Sequence, residues 1–295
     1  MSVLCLIANP ADPALDAKLV AAIQHETHGE INWLHQRIAC DIGNPRGADP
    51  AAAARSIIGN RPIDVALIPR ANRRKLLLVA DMDSTMINEE CIDELADAVG
   101  IKAEVAAITE RAMNGELDFE QALRTRVALL KGLERKAIEA VRRERITLAA
   151  GGRALLQTMK AYGAYTSLVS GGFTLFADYF AERIGFDEAI ANVLEFDGTA
   201  LTGTVKAPIV DKATKLDRLL ALAVEKSISI EATMAVGDGA NDLPMLKAAG
   251  LGVALHAKPS VRAALTVAGT GIAIDHGDLT ALLYLQGYEE DEIVR

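Results

Sequence analysis

A chain of 295 residues has room for about two domains. Its 51% hydrophobic and 24% charged residues support buried cores and argue against disorder. A net charge of -9 excludes a general nucleic-acid-binding face, which must be basic. It leaves an anionic substrate open, because a bound metal and a few local cations outweigh the global charge. Aromatic residues are only 4%, so Ala, Leu, Ile and Val must fill the interior.

The first segment, MSVLCLIANPADP, has no basic n-region and only a short apolar run. It reads as a first strand, not a signal peptide. No stretch is long and apolar enough to span a bilayer, so no membrane partner is expected. Cys5, Cys40 and Cys91 are odd in number, and their spacing fits neither a zinc site nor a disulfide framework. Reduced thiols in a cytoplasmic protein are the expectation. Ser2–Ala8 and Ile63–Ile68 are strand-like, Ala14–His25 and Pro50–Ile58 are helical, and Ile31–Ile42 contains strand. Residues 1–74 are therefore expected as a small layered α/β unit. The polar, basic run PRANRRK at Pro69–Lys75 reads as a solvated linker.

A second pattern starts at Leu76. The run LLLVAD is continuously apolar and ends in an acid, as a strand buried on both faces of a parallel sheet does. Residues 88 to about 146 are helical and highly charged. Strand signals return at Ala164–Val169, Thr233–Val236, Leu251–Ala254 and Gly271–Ile274. The expected architecture is an α/β fold, a Rossmann-like parallel sheet with a helical insert after its first strand. Val193–Val205 carries two short runs around Asp197-Gly198, the signature of a hairpin.

In such a sheet, function collects at the carboxyl ends of the strands. Three strand ends carry polar chemistry. After LLLVA come Asp81 and Asp83, whose carboxylates leave the strand on the same side. One can attack phosphorus while the other handles a proton. A bare pair of this kind is more often a turn or a helix cap. After TSLV come Ser170, Gly171 and Gly172, a hydroxyl and flexible amides suited to phosphate oxygens. After TMAV comes GDGAND, in which Asp238 and Asp242 offer oxygen ligands to a hard cation. Magnesium suits a sparse carboxylate site that also holds phosphate and water. Phosphoryl transfer also needs a cation on the anionic oxygens. Lys206, Lys212 and Lys215 all precede the third acidic site.

At these places the chain resembles the haloacid dehalogenase (HAD) superfamily of phosphatases, from about Leu76 to its last residue. The resemblance implies Asp81 as nucleophile and Asp83 as general acid/base. It implies Ser170 and the Gly171 amide as phosphate ligands, helped by Asn241. It implies a metal held by Asp81, Asp238 and the Asp83 carbonyl, with Asp242 in support. The family lysine is assigned to Lys215, 23 residues before Asp238, with Lys212 as the alternative.

Within the superfamily, DMDSTMINEECIDELA, ITERAMNGELDFEQALRTRVALLKGL, VSGGFT and VGDGANDLPMLKAAGLGVALHAKP resemble the phosphoserine phosphatase family. Two of these stretches lie in the insert, which corresponds to the family's substrate-selecting cap. The resemblance implies that Glu90 binds the ammonium of L-phosphoserine and Arg126 its carboxylate, with Met113 and Phe119 lining the pocket. Residues 1–74 resemble the ACT-like domain of bacterial members in element order and position. That implies a regulatory or assembly role and allows a homodimer. Two rival readings remain open: a phosphatase or phosphotransferase acting on another small phosphate ester, and a non-catalytic amino-acid-sensing module on the same core.

Overall fold

The computed structural model of the protein describes residues 1–113, 116–266 and 271–294, without the side chains of residues 112 and 113. The chain begins with β1 (Ser2–Ala8), α1 (Ala17–Thr27), β2 (Glu30–His35), β3 (Ala39–Gly43), α2 (Pro50–Ile58) and β4 (Ile63–Pro69). Both helices start on an aspartate. Asp16 accepts the Leu19 amide at 2.8 Å, and Asp49 accepts that of Ala52 at 2.9 Å with Pro50 next in line. The strands form an antiparallel sheet in the order β2-β3-β1-β4. Leu4, Leu6 and Ala8 face the two helices, where Val20, Ile23 and Ala54 meet them. Val3, Cys5 and Ile7 point the other way, into the core of the following domain. β1 is thus buried on both faces, and the first unit is packed onto the rest of the chain.

The PRANRRK segment is therefore no free linker. Arg73 donates to Asp41 at 2.8 Å and to the carbonyls of Tyr284 and Leu285 at 3.0 and 2.8 Å. Arg74 pairs with Glu292 at 2.7 Å and lies 4.0 Å over the Tyr288 ring. From the other side, the buried Asp64 carboxylate accepts the amides of Asp275, His276 and Gly277. The basic run reads as solvated in the sequence because most of its partners lie at the far end of the chain. Arg73→Ala should lower unfolding stability in urea by about 3–5 kcal/mol, the cost of stranding one partner of a buried ion pair. A loss under about 1 kcal/mol would mean that the clasp contributes only what a surface pair does.

The second domain begins with β5 (Leu77–Ala80). Four helices follow: α3 (Cys91–Ala98), α4 (Lys102–Met113), α5 (Phe119–Leu129) and α6 (Arg135–Glu144). Then come α7 (Gly152–Ala161), β6 (Tyr165–Phe173), α8 (Thr174–Ile184), β7 (Glu188–Asp197), β8 (Ala200–Lys206) and α9 (Lys212–Glu225). The chain continues with β9 (Thr233–Gly237), α10 (Leu243–Ala248), β10 (Leu251–Leu255), α11 (Pro259–Thr266), β11 (Gly271–Ile274) and α12 (Ala281–Leu285). The sheet order is β11-β10-β9-β5-β6-β7-β8, parallel except for β8. Alternate residues of β5 feed two separate cores, Leu78 and Ala80 on one face and Leu77 and Val79 on the other. That is why the run is apolar throughout. The expected hairpin joins β7 to β8, with Gly198 in the left-handed region at φ 59°.

The insert α3–α6 leaves and rejoins the core as a pair of adjacent segments, bridged at Ile87 and Leu148. Its far side rests on the β7–β8 hairpin. The Gly132 amide donates to the Leu201 carbonyl at 2.8 Å, and the Leu201 amide returns a bond to the Leu133 carbonyl at 3.0 Å. All three cysteines are buried and free. No helix among the described residues is long and apolar enough to cross a membrane.

Candidate active site

β5 lies between β6 and β9, so the chain leaves the centre of the sheet first to one side and then to the other. A crevice forms at the carboxyl ends of these three strands. The Asp81 amide donates to the Val236 carbonyl at 3.0 Å, which ties the end of β5 to the end of β9. Beyond it the chain turns back sharply. The Met82 carbonyl accepts the amides of Thr85, Met86 and Ile87, and Ser84 sits in the left-handed region at φ 53°. This turn brings Asp83 against the second strand end. A Cβ on Gly172 would lie 2.9 Å from Asp83 Oδ2 and 3.0 Å from Ser170 Oγ, so any larger residue would push these side chains aside.

One carboxylate oxygen from each of Asp81, Asp238 and Asp242 lies within 4.8 Å of the others. Lys215 joins them, fully buried, with Nζ 2.6 Å from Asp81 Oδ1 and 2.7 Å from Asp242 Oδ1. Burial opposes its charge, but Asp81 and Asp242 outweigh burial and raise its pKa. Lys212 and Lys206 are exposed. Lys215 reaches the site because Asp211 caps α9, accepting the amides of Ala213 and Thr214, and sets the helix start one turn away.

One ammonium facing two carboxylates leaves negative charge in excess. Burial, then the charge of Asp242, push the Asp81 carboxyl well above the usual range. Both oxygens of Asp242 are engaged, by Lys215 and by the Gly239 amide at 2.9 Å. Asp238 accepts no side-chain hydrogen bond among the described residues. Burial, then Asp242, raise its pKa to about 7. An all-oxygen donor set, an excess of buried negative charge and an unengaged carboxylate fit a hard divalent cation. Asp81, Asp238 and Asp242 each offer an oxygen that could hold it, and Asp81 and Asp242 also pair with the lysine.

Ser170 is buried at the end of β6, where its Oγ accepts the Gly172 amide at 2.9 Å. The strand runs through Phe173, with its register against β7 slipping after Val169. The two glycines thus belong to the strand, and α8 starts directly after it. Asn241 sits half-buried on the loop between Asp238 and Asp242. Burial, then the charge of Glu90, push Asp83 up to about 7. A carboxyl poised there can both give and take a proton near neutral pH.

The insert roofs this crevice. Phe119 opens α5 behind the capping box of Asp118 and Gln121, and its ring closes on Gly171, 3.1 Å from where a Cβ would sit. Glu90 accepts the Ser84 hydroxyl at 2.8 Å. Arg126 is half-buried, which lowers its pKa; Asp93, Glu90 and Asp83 oppose that shift. Its hydrogen bonds are long, to the Ala122 carbonyl at 3.3 Å and the Thr109 hydroxyl at 3.5 Å, so most of its five donors have no partner among the described residues. Glu90 and Arg126, 36 positions apart in sequence, thus sit over the same crevice as Asp83. The Met113 side chain lies outside the described residues. Sequence reasoning missed Asn192, a buried amide in β7 that bonds to Gly171 and Val210. Its one signal was a polar residue inside an apolar strand pattern.

A model of haloacid dehalogenase-like hydrolases matches residues 78–247, more than half of the chain. The phosphoserine phosphatase of Vibrio cholerae is 50% identical over 199 residues, 66% of this chain and 60% of that protein. The chain therefore spans less than two thirds of that relative. The solved structure of a HAD family hydrolase from Salmonella enterica serovar Typhi aligns with a TM-score of 0.83 at 31% identity. The match covers 99% of this chain and 100% of that one. A substrate-bound phosphoserine phosphatase structure aligns with a TM-score of 0.65 at 38% identity, over 74% of this chain and 99% of that one. With carboxylates and lysine gathered at the strand ends beneath a helical insert, the chain belongs to the haloacid dehalogenase-like hydrolase family.

Proposed function

We propose that the protein hydrolyses L-phosphoserine to L-serine and phosphate with magnesium as cofactor. The observation that carries this reading is the meeting of Asp81, Asp83 and Lys215 under a roof that presents Glu90 and Arg126. The names of the relatives above support it. Asp81 attacks phosphorus in line as the bond to the serine oxygen breaks, and Asp83 gives that oxygen its proton. Water then attacks the aspartyl-phosphate and passes a proton to Asp83, releasing phosphate and restoring Asp81. Ser170 and the Gly171 amide orient the phosphate oxygens, with Asn241 beside them. Lys215 holds the nucleophile and faces the developing charge. Asp81, Asp238 and the Asp83 carbonyl would hold magnesium, which would supply charge neutralisation at the phosphate. Residues 75–295 are read as the phosphatase domain and residues 1–74 as a regulatory or assembly domain.

Glu90 and Arg126 would read the ammonium and carboxylate of the substrate, a charge pair matched to a zwitterion. Arg126→Ala should therefore reduce kcat/KM for L-phosphoserine by about 1.5–3 kcal/mol, the worth of a charged hydrogen bond. O-phosphoethanolamine, which lacks the carboxylate, should be far less affected. Equal losses on both esters would count against this role for Arg126.

A further inference from the structure

Asn192 stands in the middle of β7, and it is 1% exposed. Asparagine is disfavoured in strands, and a buried amide is costly unless it is hydrogen-bonded. Here the amide is fully used. Its Nδ2 donates to the Gly171 carbonyl at 2.9 Å and to the Val210 carbonyl at 3.3 Å. Its Oδ1 accepts the Val210 amide at 2.8 Å. One side chain thus joins the glycines after Ser170, in the last part of β6, to the segment that leads into α9.

We infer that Asn192 is a positioning residue for phosphate, orienting the Ser170–Gly172 segment at the end of β6 and setting its distance from Lys215. This inference rests on the phosphatase reading given above. The Gly171–Gly172 peptide is planar and trans, so its carbonyl and amide point in opposite directions. Asn192 holds the carbonyl, and Ser170 Oγ accepts the amide at 2.9 Å. With that lone pair occupied, the Ser170 hydroxyl proton is left for a phosphate oxygen.

The second half of the bridge concerns the lysine. Val210 directly precedes Asp211, the cap of α9, and the Lys215 amide donates to the Asp211 carbonyl at 3.2 Å. Fixing Val210 therefore fixes where α9 begins, and with it the reach of Lys215 to Asp81. Asn192 has no hydrogen bond to Glu90 or Arg126 among the described residues. It should govern how tightly phosphate is held and leave the choice of alcohol untouched.

The test compares Asn192→Ala and the nearly isosteric Asn192→Asp with wild type. Aspartate keeps an acceptor for the Val210 amide but cannot donate to Gly171. Inorganic phosphate is titrated calorimetrically into the magnesium-loaded protein, beside steady-state kinetics on L-phosphoserine and O-phosphoethanolamine and a thermal melt. The expected result is a cooperatively folded variant whose phosphate affinity falls about tenfold, the scale of one lost hydrogen bond to a charged group. The KM values for the two esters should rise together, so that their kcat/KM ratio is unchanged. A folded variant that binds phosphate as wild type does would overturn the inference. So would a changed ratio between the esters, or failure of both variants to fold, which would leave Asn192 a purely structural role. Wild-type protein that takes up no phosphate would instead sink the phosphatase reading, and the inference with it.

Discussion

Asp81→Asn protein should release no phosphate from L-phosphoserine and form no phosphoenzyme, while Asp83→Asn should keep a trace of turnover. The two carboxylates are two residues apart, yet they should fail differently. An asparagine in place of Asp81 would still offer an oxygen to the Met82 amide and to Lys215, which Asp81 Oδ1 holds at 2.8 and 2.6 Å, so folding is expected to survive. What is lost, in the proposed mechanism, is the nucleophile itself. Asp83→Asn leaves the nucleophile and removes the proton donor, and later the base that activates water. Positioned proton transfer contributes about 10²–10⁴-fold, so turnover should fall by that factor. Rapid acid quench with phosphate-labelled substrate separates the two cases. Phosphoenzyme in Asp81→Asn, or undiminished steady-state activity in Asp83→Asn, would overturn the assignment.

Lys215→Met should weaken both catalysis and the fold. Methionine replaces the buried side chain but leaves Asp81 and Asp242 without the ammonium that lies 2.6 and 2.7 Å from them. In chelator, urea unfolding should show a loss of about 3–5 kcal/mol, because two buried carboxylates then lack their counter-charge. With magnesium restored, kcat should still fall about 10²–10³-fold, as when one preorganised donor is removed from a site of developing charge. Lys212→Met is the control. Lys212 is exposed, so its loss should stay within about 0.5 kcal/mol and spare turnover. The reverse pattern would transfer the role to Lys212.

The strand ends that carry the acidic side chains were legible because burial writes itself into sequence. A strand covered on both faces must be apolar, so an acid at its end marks where the sheet meets the crevice, as at Asp81 and Asp238. The insert and hairpin were legible from local pattern, a helical and highly charged run in one and Asp197-Gly198 in the other. The lysines were not separable by local pattern. Lys212 and Lys215 lie one turn apart on α9, and only the cap at Asp211 decides which one is carried inside. Strand order within the first sheet was also hidden, since alternation reveals a buried face but not which strand pairs with which. Arg73 looked like surface charge until Asp41 and the carbonyls at the end of α12 closed around it. Asn192 was passed over because its partners, Gly171 and Val210, lie in segments that only the folded sheet brings together.

The most direct test of the central claim is phosphate release from L-phosphoserine by protein stripped of metal with chelator and then refilled. No phosphate should appear in excess chelator. Magnesium should restore turnover, and calcium, with its larger and looser coordination, should restore it poorly. L-phosphoserine should be preferred over phosphothreonine and sugar phosphates. Full activity in chelator, or magnesium-loaded protein that ignores L-phosphoserine while cleaving a sugar phosphate, would contradict the account.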